Sequence, residues 1–353
     1  MKVLSQISTL GRYLDQPRLV ANFSKAVPAI MVVGGAAYTA KDYFGSPKET
    51  RNKGLVKNIS VLSATIGSAL VATRGIGAIK IAGKTIFKGF KGLSEKVDLI
   101  ELSRYQGALV GEFLKANKIS QKTAEILDSV KSRALKFSEL NTVYSELQNT
   151  ENSKKFLSEL VPSPHSVDSK HVFGEIKRLS LMGLVPVVGG IAGGVVGDKL
   201  TEENWKERVP NKVKEGCYQY LANIFLCNVG AGAALWGLEK AKVDSKAARA
   251  FGMTAGIILT GIVGGSSIAN LIGKKVIDPL FPSNSLSNNK DLFAERTPEA
   301  LDVGLHADDV ATVAVMSGLK WIEPALPMLY SISGLRAGIG YRNGENKQKS
   351  IDV

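Results

Sequence analysis

The residues with the clearest chemical potential sit near the C-terminal end. The run Lys320-Trp321-Ile322-Glu323-Pro324-Ala325-Leu326-Pro327 places a carboxylate and an ammonium beside two prolines three apart. Two prolines at that spacing cannot both belong to an unbroken helix, and they release backbone carbonyls. A carboxylate at such a break in an apolar stretch reads as an ion or proton site, because charge at membrane depth is costly. The plainer reading pairs Lys320 with Glu323 at an interface, with Trp321 as the anchor. His306, Asp308 and Asp309 hint at a cation site, but polar groups at a helix start more often cap it.

Other chemistry is thin. Residues 78–85 (AIKIAGKT) satisfy a loose phosphate-loop pattern with Ala for the first Gly. The intervening Ile, Lys, Ile and Ala favour regular structure over a nest of N–H groups, so nucleotide binding is not expected. The sequence has no Gly-x-Ser-x-Gly elbow and no His-Glu-x-x-His pair. Cys217 and Cys227, ten residues apart on one helix, would be roughly 15 Å apart along its axis, too far for a disulfide. With three scattered histidines there is no metal-ligand cluster. No cofactor or metal is expected, and the balance leans away from an enzyme.

Glycine is a stronger signal. Gly189, Gly193 and Gly197 recur every four residues, with shorter versions at Gly252/Gly256, Gly261/Gly265 and Gly334/Gly338. Glycines four apart line one helix face and let another helix approach closely. This specifies tight packing, either inside one chain or between copies of it.

These residues need elements to carry them. Apolar blocks occupy 26–40, 59–73, 179–197, 216–238, 250–273 and an interrupted 310–340. The third to fifth hold about 19 to 24 residues without a charge, enough to cross a ~30 Å hydrocarbon core as helix. The fold class expected is all-α: a polytopic membrane bundle of about six spans with an inserted soluble helical hairpin. In that scheme 1–25 is a basic arm, 26–91 a first helix pair plus a basic amphipathic helix, and 92–178 the hairpin. The remainder divides into a three-helix membrane region (179–273), an acidic loop (274–308), the interrupted segment (309–341) and a polar tail (342–353). Cleavage as a secretory signal is disfavoured, since the arm is long and Tyr38 spoils the site.

Within 92–178, Ser94 and Ser120 read as N-caps. Apolar or small residues at Ile126, Val130, Ala134, Phe137, Leu140, Tyr144 and Leu147 predict one helix of about 25 to 30 residues. Lys80, Lys84 and Lys88, four apart, predict one basic helix face lying on an anionic leaflet or in solvent.

The net charge is +13, yet 92–178 holds 13 Lys and Arg against 12 Asp and Glu. Nearly all the excess therefore flanks the apolar blocks, as membrane-surface charge does. Without a basic groove with interleaved aromatics, nucleic acid is not an expected partner. Six spans with both termini cytoplasmic fit the distribution of basic loops, except that 41–58 carries five basic and two acidic residues on the wrong side. A re-entrant or interfacial first hairpin would resolve that. The first two blocks, with Asp42, Asn52 and Lys53, weakly echo the next two, with Asp198, Asn211 and Lys212.

Three readings of function follow. The leading one is a non-enzymatic membrane scaffold that assembles with itself or a protein partner through glycine-lined helices. The second is a small-solute or ion transporter with Glu323 in its path. The third is a soluble Gly/Ala-rich helical protein.

Overall fold

A computed structural model of the chain describes residues 9–75, 78–81, 84–88, 99–147, 151–160, 169–243, 246–281, 313 and 322–340. They are helical apart from one two-stranded hairpin. The helices are α1 (Pro17–Gly45), α2 (Arg51–Leu70), α3 (Leu99–Ala116), α4 (Gln121–Ser129), α5 (Phe137–Leu147) and α6 (Glu151–Leu160). They continue as α7 (Ser169–Thr201), α8 (Trp205–Tyr220), α9 (Leu226–Lys240), α10 (Lys246–Ile257), α11 (Ser266–Ile272) and α12 (Leu326–Ile339). Among the described residues, five helical stretches are long and apolar enough to cross a membrane: Pro17–Gly45, Arg51–Thr73, Ile176–Thr201, Trp205–Lys240 and Ala248–Leu280. Of the sixth expected span only residues 313 and 322–340 are among those described, and there α12 has 14 residues, about 21 Å of helix.

The chain divides into two compact units. One comprises Met1–Val27, Lys91–Ser166 and Ser317–Pro324; the other comprises Pro28–Phe90, Val167–Met316 and Ala325–Val353.

The first unit is held by an aliphatic and aromatic core that includes Val110, Leu127, Leu135, Leu140, Val143 and Leu160. Phe113 and Phe156, both buried in it, stack on each other. Ser120 caps α4, its hydroxyl accepting from the Thr123 N–H. The single long helix expected here is instead two, α4 and α5, parted at 130–136. The reason is a distant residue. Gln16 donates to the Leu135 carbonyl (2.9 Å) and accepts from the Leu135 N–H (2.8 Å), so this backbone is satisfied outside any helix. Glu139 restarts the helix by accepting from the Lys136 N–H at 2.8 Å. The unit therefore carries four short helices over 99–160 where a hairpin was expected. The basic arm, too, is docked. Arg18 donates to Ser103 Oγ and the Lys131 carbonyl, and Arg12 lies over the Tyr144 ring. Ser94 lies outside the described residues.

In the second unit α7 is the central helix, and its glycines explain how. A Cβ at Gly193 would come within 2.5 Å of the Ser60 carbonyl oxygen, and one at Gly197 within 3.0 Å of Lys57 Cα. At Gly189 it would overlap Ser68. The Gly189/Gly193/Gly197 face is thus filled by α2, running antiparallel. The next face, Gly190 and Gly194, meets Gly334 and Gly338 of α12, running parallel, where either Cβ would strike a carbonyl. On the other side of the unit, Gly252, Gly256, Gly261 and Gly265 meet Leu238, Gly230, Cys227 and Ala222 respectively. Each of these glycine faces is occupied by the chain's own helices.

The basic amphipathic helix is not formed. Residues Ala78–Ile81 (β1) and Lys84–Lys88 (β2) pair antiparallel, Ala78 opposite Lys88 and Lys80 opposite Thr85. A four-residue spacing satisfies a two-residue period as well as a helical one. The β-branched Ile79, Ile81, Thr85 and Ile86 favour the strand. Lys80, Lys84 and Lys88 therefore lie on strands, not on one helix face.

Candidate functional site: a buried polar track

The stretch Trp205–Lys240 is one continuous helical rod, α8 and α9 joined by a π-helical turn at Leu221–Phe225. Its inward face carries Lys212, Glu215, Gln219, Asn223 and Asn228, all buried. The spacing explains their alignment, since residues four apart stack on one face of an α-helix. The π turn inserts an extra residue per turn and shifts the next polar position to Asn228.

Hydrogen bonds link the middle of this row. Gln219 Nε2 donates to Glu215 Oε1 at 2.8 Å, and Asn223 Nδ2 donates to Gln219 Oε1 at 2.9 Å. Both amides are therefore oriented by the carboxylate. Arg336 of α12, also buried, brings Nε to 3.9 Å from the same Glu215 oxygen. Farther along, Asn228 Nδ2 lies 3.4 Å from Ser180 Oγ of α7. Its Oδ1 has no partner among the described residues.

At the other end the row opens into an ion cluster. Lys212 Nζ is 3.0 Å from Asp198 Oδ2 and donates to the Gly338 carbonyl at 2.7 Å. It thereby neutralises the end of α7 and supplies a donor to the C-terminus of α12, where the dipole favours a cation. Gly340, with φ of 69°, closes α12 in the left-handed conformation only glycine adopts readily. Lys57 of α2 reaches Glu202 at 2.7 Å and Asp198 at 3.5 Å. The hydrogen bond from Lys57 holds the Glu202 carboxyl below its ordinary range. On the opposite side of α8, Lys214 pairs with Asp278 and Tyr218 OH with Ser266 Oγ.

Asp42 and Asp198, the two residues of the weak echo, both pair back onto the next helix. Asn58 donates to Asp42 at 2.7 Å, whereas the Asp198 partner is a lysine. The two hairpins thus share a device and differ in charge.

Glu323 is 4 % exposed and lies in the 3₁₀ turn Glu323–Ala325 that precedes α12. A carboxylate so buried is not an exposed surface partner. Lys320, Trp321, His306, Asp308 and Asp309 lie outside the described residues. Among the described residues, no group of three His, Cys, Asp or Glu is placed to hold a metal. Cys217 and Cys227 are not joined in a disulfide, and Cys227 donates to the Ala222 carbonyl.

The track was legible only in part. Gln219, Asn223 and Asn228 interrupt an apolar block at four- and five-residue steps, continuing from Glu215, and that periodicity is a readable signal. The pairing of Arg336 with Glu215 crosses 121 positions of sequence and is not. Compared with protein-family models, with curated proteins and with solved structures, the chain has no match.

Proposed function

We propose that this chain is a multi-pass integral membrane protein that passes a proton or small cation along the buried track, with Glu215 as the group that binds and releases it. One observation carries the reading. From Lys212 to Asn228 the row covers about 24 Å of a single helix, most of a ~30 Å hydrocarbon core. Ionisable and amide groups are expensive at that depth and are retained where a charge must bind. The π-helical turn beside Asn223 agrees, since such turns recur at functional positions.

The test is transport by the purified chain in sealed liposomes under an imposed cation or pH gradient. The wild type should dissipate the gradient faster than empty vesicles, and Glu215→Gln should slow it at least tenfold. Loss in Glu323→Gln with Glu215→Gln intact would move the site to the C-terminal break. A wild type no leakier than empty liposomes would end the transport reading.

Assembly remains the second reading, on a different surface from the glycine faces, which are filled. Phe251, Leu259, Val263 and Leu271 project from the Ala248–Leu280 stretch. That face suits lipid, a second copy or an apolar protein partner.

A further inference from the structure

Helices α1 and α2 meet through side chains at Gly35, where a Cβ would come within 3.3 Å of Ile66 Cδ1. A groove of about 660 Å³ is lined by both helices. Its walls are apolar, with Val32, Ala36 and Phe44 from α1 and Ile59, Leu62 and Leu70 from α2. The one threonine on the α1 wall, Thr39, donates its hydroxyl to the Gly35 carbonyl of its own helix.

The dimensions select the occupant. The lining runs about 20 Å along both helices, longer than the ~15 Å of hydrocarbon in one leaflet. A single extended hydrocarbon chain is the shape that fits.

Charge selects the head. The groove ends at the α1–α2 turn, where Lys41, Lys48 and Lys53 are exposed and Arg51 is half-buried. Arg51 is fixed in place by donating to the Ser46 carbonyl at 2.8 Å while lying over the Tyr43 ring, itself part of the groove wall. The acids nearby are Asp42, engaged by Asn58, and Glu49. Four cations against two acids at headgroup depth attract an anionic lipid.

We propose that this groove seats one acyl chain of an anionic phospholipid, with its phosphate at the basic turn formed by Lys48, Arg51 and Lys53. The inference rests on the membrane reading, and the two separate experimentally.

The full chain would first be washed in its membranes with alkaline carbonate, then reconstituted in nanodiscs of equal phosphatidylglycerol and phosphatidylcholine. Native mass spectrometry would count retained lipid, and phosphatidylglycerol bearing a photoreactive acyl chain would map the contact. One phosphatidylglycerol per chain is expected, cross-linked within 32–44 or 55–70. Gly67→Leu, at a groove position where a Cβ meets nothing within 4 Å, should fill the groove without disturbing the fold and lower occupancy roughly tenfold. Lys48→Gln with Lys53→Gln should remove the preference over phosphatidylcholine.

Equal retention of the two lipids by the wild type would overturn the proposal. So would cross-links confined elsewhere, unchanged occupancy in Gly67→Leu, or chain-to-chain cross-links at the groove. Carbonate retention combined with any of these leaves the membrane reading standing; release by carbonate removes both.

Discussion

In the first unit Leu127, Leu140 and Val143 are fully shielded, while Asp128 and Lys131 pair at the surface. The second adds buried charge and exposed aliphatic surface to an apolar core that includes Leu179, Leu235 and Met253. Lys212, Lys214, Glu215 and Arg336 are buried, while Val188, Val196, Leu259 and Val263 are more than half exposed. An aqueous solvent rewards the first pattern and penalises the second, because apolar surface is driven from water and charge is drawn to it. Under the membrane reading proposed above, helix association in the second unit falls to close backbone packing and polar pairs. The glycine faces of α7 and the Lys212–Asp198 cluster are those two devices.

The sharpest way to break this comparison is to remove one member of the buried cluster. Lys212→Met leaves the Gly338 carbonyl without its donor and Asp198 with only the more distant Lys57, and should cost about 3–5 kcal/mol in unfolding of the detergent-solubilised chain. Adding Asp198→Leu should return most of that, since an apolar pair tolerates the site. Failure of the double variant to recover would mean the cluster fixes helix register as well as charge.

Glycine substitutions come next and should differ in sign between units. Gly194→Ala places a Cβ against the Gly338 carbonyl and should destabilise by about 3 kcal/mol. Gly111→Ala in α3 meets nothing within 4 Å and should stabilise by up to ~1 kcal/mol. Thermal melts of the two variants, read side by side, would test whether both units obey one packing rule after all.

The smallest effect is electrostatic and belongs to the first unit. Two hydrogen bonds from Arg133 hold the Glu139 carboxyl down to about 2. A carboxylate depressed on folding stabilises above its unfolded value of 4.5 and loses that contribution as pH falls toward 2. Because the Arg133 side chain is 42 % exposed, the effect should be about 1 kcal/mol or less. Protease susceptibility of the 130–136 turn should rise through that window, and Glu139→Gln should abolish the dependence. Glu146 is lowered in the same direction, chiefly by the Ser120 N–H, and reinforces the trend.

Much of the architecture could be read from periodicity. The apolar blocks mark five helices correctly because length and composition alone define a stretch able to span a bilayer. The first helix begins before its apolar block: α1 starts at Pro17, since Pro suits the first turn of a helix and Arg18 beside it is held by Ser103 and the Lys131 carbonyl. The break at 130–136 was invisible because Gln16 causes it from 119 positions away. The doubled glycines at 189–190 and 193–194 did carry a signal, two adjacent faces for two partners, that single-face counting overlooks. Of the site, Glu215 and its amides lay in plain periodicity at the edge of an apolar block, whereas Glu323 drew attention through its prolines.

The position of α12 has a consequence for synthesis. It is the partner that fills the Gly190/Gly194 face of α7, yet it follows α7 by more than a hundred residues. While the chain emerges in order, α7 stands with one flank uncovered. Completion of the bundle is therefore coupled to arrival of residues 326–339, and a ribosome that stalls before them leaves a protein with an open seam for quality control to find.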